Sequence, residues 1–194
     1  MVAMAVGIVP IHTLWLPILL SAVIVFVASS IMHMVLPYHR SDYKKLPDED
    51  KVVAAMRSAG VSASGVYMFP HCSHQDMKKP EMLEKFKQGP VGTVTVFPSG
   101  GPVNMPKYLA QWFVFCLLVG VFTAYLTGRT VPSGTVYLAV FRVAGTVAFM
   151  AYGVGQLVNG IWMGQPWSVV TKHVFDGLVY SLLLAGTFGW LWPR

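Results

Sequence analysis

Four long stretches of the sequence are apolar and almost free of charge. Residues 13–37, 108–128 and 177–193 contain no Asp, Glu, Lys or Arg, and residues 130–171 contain only Arg142. About 20 apolar residues in a helix are enough to cross a hydrocarbon core of about 30 Å. We therefore predict four transmembrane helices, at about residues 14–36, 107–127, 135–157 and 169–192.

A polar segment separates the first two predicted helices. Pro47 is followed by three acidic residues, which favours a helix start, and Gly60 would end that helix. A second short helix is predicted to begin at Pro80, and the alternation in residues 91–97 predicts one strand, followed by a turn at residues 99–102. The predicted fold is an all-α membrane bundle of four helices with a small α+β insertion. We divide it into residues 1–37, 38–106 and 107–194.

The composition agrees with a membrane protein. Hydrophobic residues make up 55% of the chain and charged residues 11%, whereas a soluble domain has about a quarter charged residues. The net charge of +6 does not indicate nucleic acid, because most basic residues lie in the insertion among acidic ones and form no basic stripe. The partner that the composition predicts is the lipid bilayer.

The positive charges near the helix ends predict an orientation. Basic residues are more frequent beside membrane helices on the cytoplasmic side. The insertion end of the bundle has five of them and the opposite end has Arg129 and Arg194. The five are Arg40, Lys44, Lys45, Lys107 and Lys172. We therefore predict that insertion 38–106 is cytoplasmic and that both termini lie outside.

Placing an ionisable side chain inside a bilayer costs free energy, so such residues are candidates for function. His33 and His39 lie at the end of the first predicted helix, and His173 and Asp176 lie at the start of the fourth. The four-helix topology places them at similar depth on one side of the bundle. Imidazole and carboxylate together can bind a divalent metal or relay a proton. A hydrogen-bonded structural His–Asp pair is the alternative.

Arg142 is the one other charge well inside a predicted helix. Asp176 is the only acidic residue in any of these helices, so we predict a structural Arg142–Asp176 ion pair between helices three and four. The alternatives are that Arg142 binds a lipid headgroup, a quinone oxygen or an anionic substrate.

A second candidate metal site lies in the insertion. His71 and His74 flank Cys72, and Met77 follows, which are residue types that can hold copper or zinc. The spacing matches no strong metal-binding template, so a simple polar loop is the alternative. Cys72 and Cys116 lie in different regions of the predicted fold, and we predict no disulfide between them.

No nucleotide-binding, hydrolase or metalloprotease motif occurs in the sequence. Small residues at four-residue spacing, such as Ala144 with Ala148 and Ala185 with Gly189, allow close helix packing within the bundle or against another subunit. The favoured interpretation is therefore a non-enzymatic structural or accessory subunit, bound to other membrane protein subunits or to copies of itself. The alternatives are a metal- or quinone-linked protein for redox or proton handling, and a small transporter with Arg142 and Asp176 on its path.

Short segments spread over most of the chain carry a resemblance. They are MVLPYHxxDY at 34–43, GPVG at 89–92, FRxxGT at 141–146, FDGLVY at 175–180 and GTFGWLWP at 186–193, where x is any residue. In these segments the sequence resembles a group of small four-helix bacterial inner-membrane proteins with no known activity. The resemblance implies a bacterial inner-membrane location and brings no catalytic residues.

Overall fold

The structure is a computed structural model that describes residues 8–98 and 104–194. The turn predicted at residues 99–102 lies outside the described residues. The chain forms two compact units, one made of Met1–Asp42 with Asn104–Arg194 and the other of Tyr43–Val103. The segment just after the first helix therefore belongs to the first unit and not to the insertion. The reason is that its side chains contact the last helix, as Asp42 does through Lys172.

The helices and strands follow one another in a simple order. In the chain they are α1 (Trp15–Ser30), α2 (Glu49–Ser58), β1 (Gly65–Phe69), α3 (Pro80–Gln88), β2 (Gly92–Val96), α4 (Met105–Thr130), α5 (Tyr137–Tyr152), α6 (Leu157–Ile161) and α7 (Trp167–Trp190). A 3-10 turn, Ile11–Leu14, precedes α1, and a π-helical segment, Ile31–Val35, extends it.

Among the described residues, four helical stretches are long and apolar enough to cross a membrane. They are Ile11–Val35, Met105–Thr130, Tyr137–Ile161 and Trp167–Trp190. The predicted bundle of four helices with a small α+β insertion is thereby confirmed, and the chain is a multi-pass membrane protein. The third stretch is interrupted at Gly153, where α5 ends and a 3-10 turn, Val154–Gln156, leads into α6.

Small residues bring α5 and α7 into close contact. Ala144 and Ala148 are fully buried, and a Cβ added to Gly145 would lie 3.2 Å from the Cβ of Ala185. At Gly177 an added Cβ would lie 2.4 Å from the Cα of Gly153, so only glycine allows this approach. The small-residue faces seen in the sequence are therefore used inside the bundle.

Helix α1 packs against both α4 and α7. The Trp112 indole nitrogen of α4 donates a hydrogen bond of 2.8 Å to the Ser29 hydroxyl. Gly120 of α4 lies against α1 at Ile18, whose carbonyl oxygen would be 3.4 Å from an added Cβ. The Trp112–Ser29 hydrogen bond holds the insertion end of α1, where candidate histidines lie, beside α4.

The insertion is a small unit without a deep core. Asp48 caps α2 by accepting a hydrogen bond from the Lys51 backbone N–H. Strand β1 pairs with β2 in antiparallel fashion, with Val66 opposite Thr95. The sequence predicted the second of these strands only, because the residues of β1 do not alternate between apolar and polar types. No side chain in residues 43–98 is fully buried.

Candidate metal centre

The first unit brings four of the candidate residues into one group. His33, His39, His173 and Asp176 each offer a ligand atom, and these atoms lie within 4.8 Å of one another. The cluster combines two parts of the chain that are far apart in sequence, at the end of the α1 stretch and in the first half of α7. We call these four residues the His₃Asp cluster.

Local backbone structure explains how each member is placed. His33 lies in the π-helical segment Ile31–Val35, and such segments are rare and frequent at functional sites. Pro37 then begins a 3-10 turn, Pro37–His39, which carries His39 back over α7. His173 and Asp176 are three residues apart on α7 and so lie on one helical face.

Asp176 is at the centre of the cluster. Its side chain is 3% exposed, and its Oδ2 lies 2.9 Å from Nε2 of His39. The same oxygen lies 3.8 Å from Nε2 of His33 and 3.8 Å from Nδ1 of His173. The other carboxylate oxygen, Oδ1, accepts a short hydrogen bond from the Tyr38 hydroxyl. A buried carboxylate needs such partners, because desolvation penalises its charge.

Two buried polar atoms of the cluster remain unsatisfied. Oδ2 of Asp176 and Nε2 of His39 are close together, yet the angles between them are not those of a hydrogen bond. Neither atom has another hydrogen-bond partner in the part of the chain that the structure describes. Two adjacent lone-pair atoms without a donor are the arrangement that a bound cation would satisfy.

Outer contacts hold two of the imidazoles. Nδ1 of His39 lies 2.5 Å from Oδ2 of Asp42, and Nδ1 of His33 lies 3.1 Å from the Ser29 carbonyl oxygen. When Nδ1 carries the proton in such a contact, Nε2 is left as a lone-pair donor. Metal-binding histidines are usually oriented in this way, by a carboxylate or a backbone carbonyl.

Lys172 completes the outer layer. Its ammonium lies 2.6 Å from Oδ1 of Asp42 and 2.6 Å from the Tyr38 carbonyl oxygen. Burial alone would raise the pKa of Asp42, but the hydrogen bonds from Lys172 and His39 hold that pKa below its usual value. Burial, followed by the hydrogen bond to Asp176, raises the pKa of Tyr38 far above that of a free phenol. Asp42 is therefore ionised and Tyr38 is a neutral donor at neutral pH.

A cavity of about 160 Å³ adjoins the cluster. It is lined by His33, His173 and Asp176 and by the aromatic residues Trp112, Tyr152 and Tyr180. We call it the inner cavity. It leaves room beside the cluster for a few atoms of a small group, since one water occupies about 30 Å³ in the liquid.

Arg142 does not join this site. Asp176 is paired with Tyr38 and surrounded by histidines, and no ion pair between Arg142 and Asp176 occurs among the described residues. The predicted tie is therefore replaced by histidine contacts. The reason is their different depth in the bundle. Tyr137 of α5 packs against Gly189 of α7, which sets the two helices level at that point. Counting along each helix from there at a rise of 1.5 Å per residue places Arg142 and Asp176 roughly 12 Å apart along the bundle.

The insertion histidines are also separate from the cluster. His71 and His74 are exposed, and neither belongs to a group of three or more candidate metal ligands within residues 8–98 and 104–194. The nearby Asp76 is paired with Lys79 and with Ser73. Those two hydrogen bonds lower the pKa of Asp76, an ordinary effect at the protein surface.

Sequence reasoning missed several residues that support the cluster. Asp42 follows His39 by three residues, and this spacing in a polar turn was the available signal for its role. Tyr38 was not predicted to take part in the site. Tyr152 gave no signal, because its position beside the cluster depends on how α5 packs against α7. Cys72 and Cys116 are both free thiols.

Three imidazoles and one carboxylate form a donor set suited to a first-row transition metal. The chain matches no family model, no curated protein and no solved structure with which it was compared.

Proposed function

We propose that the chain is an integral membrane metalloprotein that holds one divalent transition metal ion, of the zinc class, in the His₃Asp cluster. The observation that carries the proposal is the buried Asp176 carboxylate, which is surrounded by three imidazoles and keeps an unsatisfied oxygen beside the unsatisfied Nε2 of His39.

The distances between donor atoms suit such an ion. Zinc binds imidazole nitrogen at about 2.0–2.1 Å and carboxylate oxygen at about 2.0–2.2 Å, so donors at the corners of a tetrahedron are about 3.4 Å apart. The separations from Asp176 Oδ2 to its three histidine nitrogens are 2.9, 3.8 and 3.8 Å. These values lie on both sides of the tetrahedral distance. All four donor atoms lie within 4.8 Å of one another, so the side chains must draw closer together for all four to bind one ion.

The charge balance also favours a cation over a structural His–Asp pair. A structural pair requires a proton shared in a hydrogen bond between Asp176 and one imidazole. The nearest nitrogen, Nε2 of His39, lacks the hydrogen-bond geometry, and the nitrogens of His33 and His173 lie 3.8 Å away. The Nδ1 atom of the same ring already faces Asp42. With neutral imidazoles, the cluster carries the one negative charge of Asp176, which a divalent ion would convert into one positive charge.

The accessory-subunit and transporter interpretations stay predictions. The small-residue faces on which the first partly depended pack α5 against α7. The second placed Arg142 and Asp176 on one path, and no ion pair joins these two residues among the described ones. A metal centre is compatible with the redox or proton-handling interpretation. Binding to other subunits or to copies of the chain stays a prediction.

Metal analysis of the purified protein tests the proposal. The full chain is purified in detergent without chelators, stripped with a chelator, dialysed against Zn²⁺ alone and analysed by mass spectrometry for metal content. We expect about one zinc per chain for the wild type. The substitutions His39→Ala and Asp176→Ala should reduce it to about a tenth, because each removes a ligand.

Three further variants make the result decisive. His12→Ala removes an exposed histidine at the opposite end of α1 and should leave one zinc bound, as should His71→Ala combined with His74→Ala. His33→Ala should lower zinc affinity with little effect on folding, because the His33 side chain is 44% exposed. Zinc content that is unchanged in His33→Ala, His39→Ala and Asp176→Ala, or that is lost with His71 and His74, would overturn the proposal.

A further inference from the structure

A groove on the membrane-facing surface leads towards the cluster. It lies between α1 and α4, has a volume of about 460 Å³, and is lined by Ser29, Ser30, His33, Met34, Met105, Leu109 and Trp112. Met34 and Met105 are 76% and 56% exposed, and both belong to stretches that cross the membrane. The groove therefore faces lipid and is apolar at its rim.

The groove and the inner cavity share two lining residues. His33 and Trp112 belong to both, so the lipid-facing groove and the inner cavity beside Asp176 adjoin at these side chains. His33 is a member of the His₃Asp cluster and is nearly half exposed. A molecule lying in the groove would thus have one end against a metal-binding side chain and the rest in an apolar surrounding.

The inner cavity holds a hydroxyl that lacks a partner. Tyr152 is 3% exposed, and its hydroxyl has no hydrogen-bond partner within the described ranges 8–98 and 104–194. The Cys116 thiol is a close neighbour of that hydroxyl, and no hydrogen bond of ordinary geometry joins the two. A buried hydroxyl without a partner is costly, so it points to an acceptor atom supplied by a bound molecule.

We infer that the site takes a membrane-dissolved molecule with an apolar chain and a small head that carries an acceptor oxygen, such as a carbonyl or carboxylate. The chain would lie in the groove between α1 and α4, and the head would enter the inner cavity. There the oxygen would accept a hydrogen bond from Tyr152 and face the metal, whose positive charge attracts the same atom. This inference rests on the proposed metal centre and names the class of ligand that it serves.

Cobalt-loaded protein gives a direct readout, because the visible spectrum of Co²⁺ changes when a new ligand binds. The stripped full chain is loaded with Co²⁺, its metal content is measured, and it is titrated with three probes that have ten-carbon chains. Decyl-benzoquinone and decanoic acid carry acceptor oxygens from two different sources, and decane carries none. We expect a saturable spectral change with at least one oxygen-bearing probe and none with decane.

Three substitutions locate the binding site. Leu109→Trp fills the groove and should weaken the response about tenfold or more, whereas Val114→Trp adds the same bulk at an exposed position of α4 outside the groove and should not. Tyr152→Phe should weaken it about fivefold to tenfold through loss of one hydrogen bond. None of the three replaces a member of the His₃Asp cluster, so cobalt content should stay the same.

The outcomes separate the two proposals. If cobalt binds in stoichiometric amount and no oxygen-bearing probe changes its spectrum, the ligand inference is wrong while the metal centre stands. The ligand inference would also be overturned if Leu109→Trp and Val114→Trp gave equal spectral responses, or if decane changed the cobalt spectrum. If cobalt does not bind, the proposed metal centre fails and the ligand inference fails with it.

Discussion

Nε2 of His39 lies 2.9 Å from Oδ2 of Asp176, although His39 follows the first membrane-spanning stretch and Asp176 lies within the last. The contact joins the two chain segments that make up the first unit. It depends on the turn Pro37–His39, which holds the imidazole over α7, and on Asp42, whose carboxylate contacts Nδ1 of the same ring. The site is thus a property of the assembled bundle, and its outer contacts can be changed without removing a ligand.

The substitution Asp42→Asn tests those outer contacts. It removes the carboxylate that faces Nδ1 of His39 and that pairs with Lys172. Loss of a group that orients a metal-binding histidine usually lowers metal affinity about 10- to 100-fold. We expect a loss of that size for zinc in competition with a chromogenic chelator. Asp48→Asn, which changes an exposed carboxylate in the insertion, should leave the affinity unchanged. Equal affinities in both variants would show that Asp42 does not position His39.

The same carboxylate should make stability depend on pH. The folded protein holds the pKa of Asp42 below its unfolded value, which is about 4. A depressed carboxyl pKa stabilises the folded state above the unfolded pKa, and this stabilisation is lost as the pH falls through the folded pKa. Metal-free wild type should therefore have a higher apparent Tm than Asp42→Asn at pH 6, and the difference should shrink below about pH 4. A difference that is constant from pH 6 to pH 3 would contradict the ionised Asp42–Lys172 pair.

Helix packing near the site can be tested with two glycines of α7. At Gly177 an added Cβ would lie 2.4 Å from the Cα of Gly153, and backbone atoms cannot move aside easily. Gly177→Ala should therefore destabilise the bundle by about 1–3 kcal/mol, as overpacking does elsewhere, and lower the apparent Tm. At Gly186 the nearest atom to an added Cβ is the Tyr137 hydroxyl at 3.5 Å, so Gly186→Ala should be nearly neutral. Similar Tm values for the two variants would mean that α5 and α7 are further apart than the structure shows.

The fold could be predicted from the sequence because its signals are local. A run of about 20 apolar residues specifies a membrane helix whatever surrounds it, and Gly60 and Pro80 marked the end of one short helix and the start of the other. Strand β1 was missed because its five residues become a strand by pairing with β2. The break at Gly153 was missed for a similar reason, since it depends on the approach of α7.

The candidate site was only partly predictable. Counting residues from the helix ends placed His33, His173 and Asp176 at one depth, but it could not show which faces meet. It also predicted an ion pair between Asp176 and Arg142, because opposite charge was the only criterion that the sequence offered for choosing a partner. The structure shows that three histidines surround Asp176 instead, and that Tyr152 lines the adjoining cavity. Such contacts depend on helix rotation, which apolar sequences specify weakly.

The orientation of the bundle can be tested with its cysteines. The basic residues near the insertion support a cytoplasmic insertion, and Cys72 is its only cysteine. In spheroplasts of a bacterial host, a membrane-impermeant maleimide should leave Cys72 unlabelled, and it should label this thiol once the membrane is permeabilised. Cys116 is fully buried and should stay unlabelled in the folded protein in both conditions.

A second variant reports on the other side of the membrane. Ser133 is exposed in the turn between α4 and α5, so Ser133→Cys combined with Cys72→Ser should be labelled in intact spheroplasts. Cys72→Ser alone should not be labelled in either condition. The reverse pattern, with Cys72 labelled from outside and the cysteine at position 133 protected, would place the insertion and the His₃Asp cluster at the outer surface. The metal centre would then bind its ion on the outer side of the membrane. The basic residues near the insertion would then not reflect the orientation of the bundle.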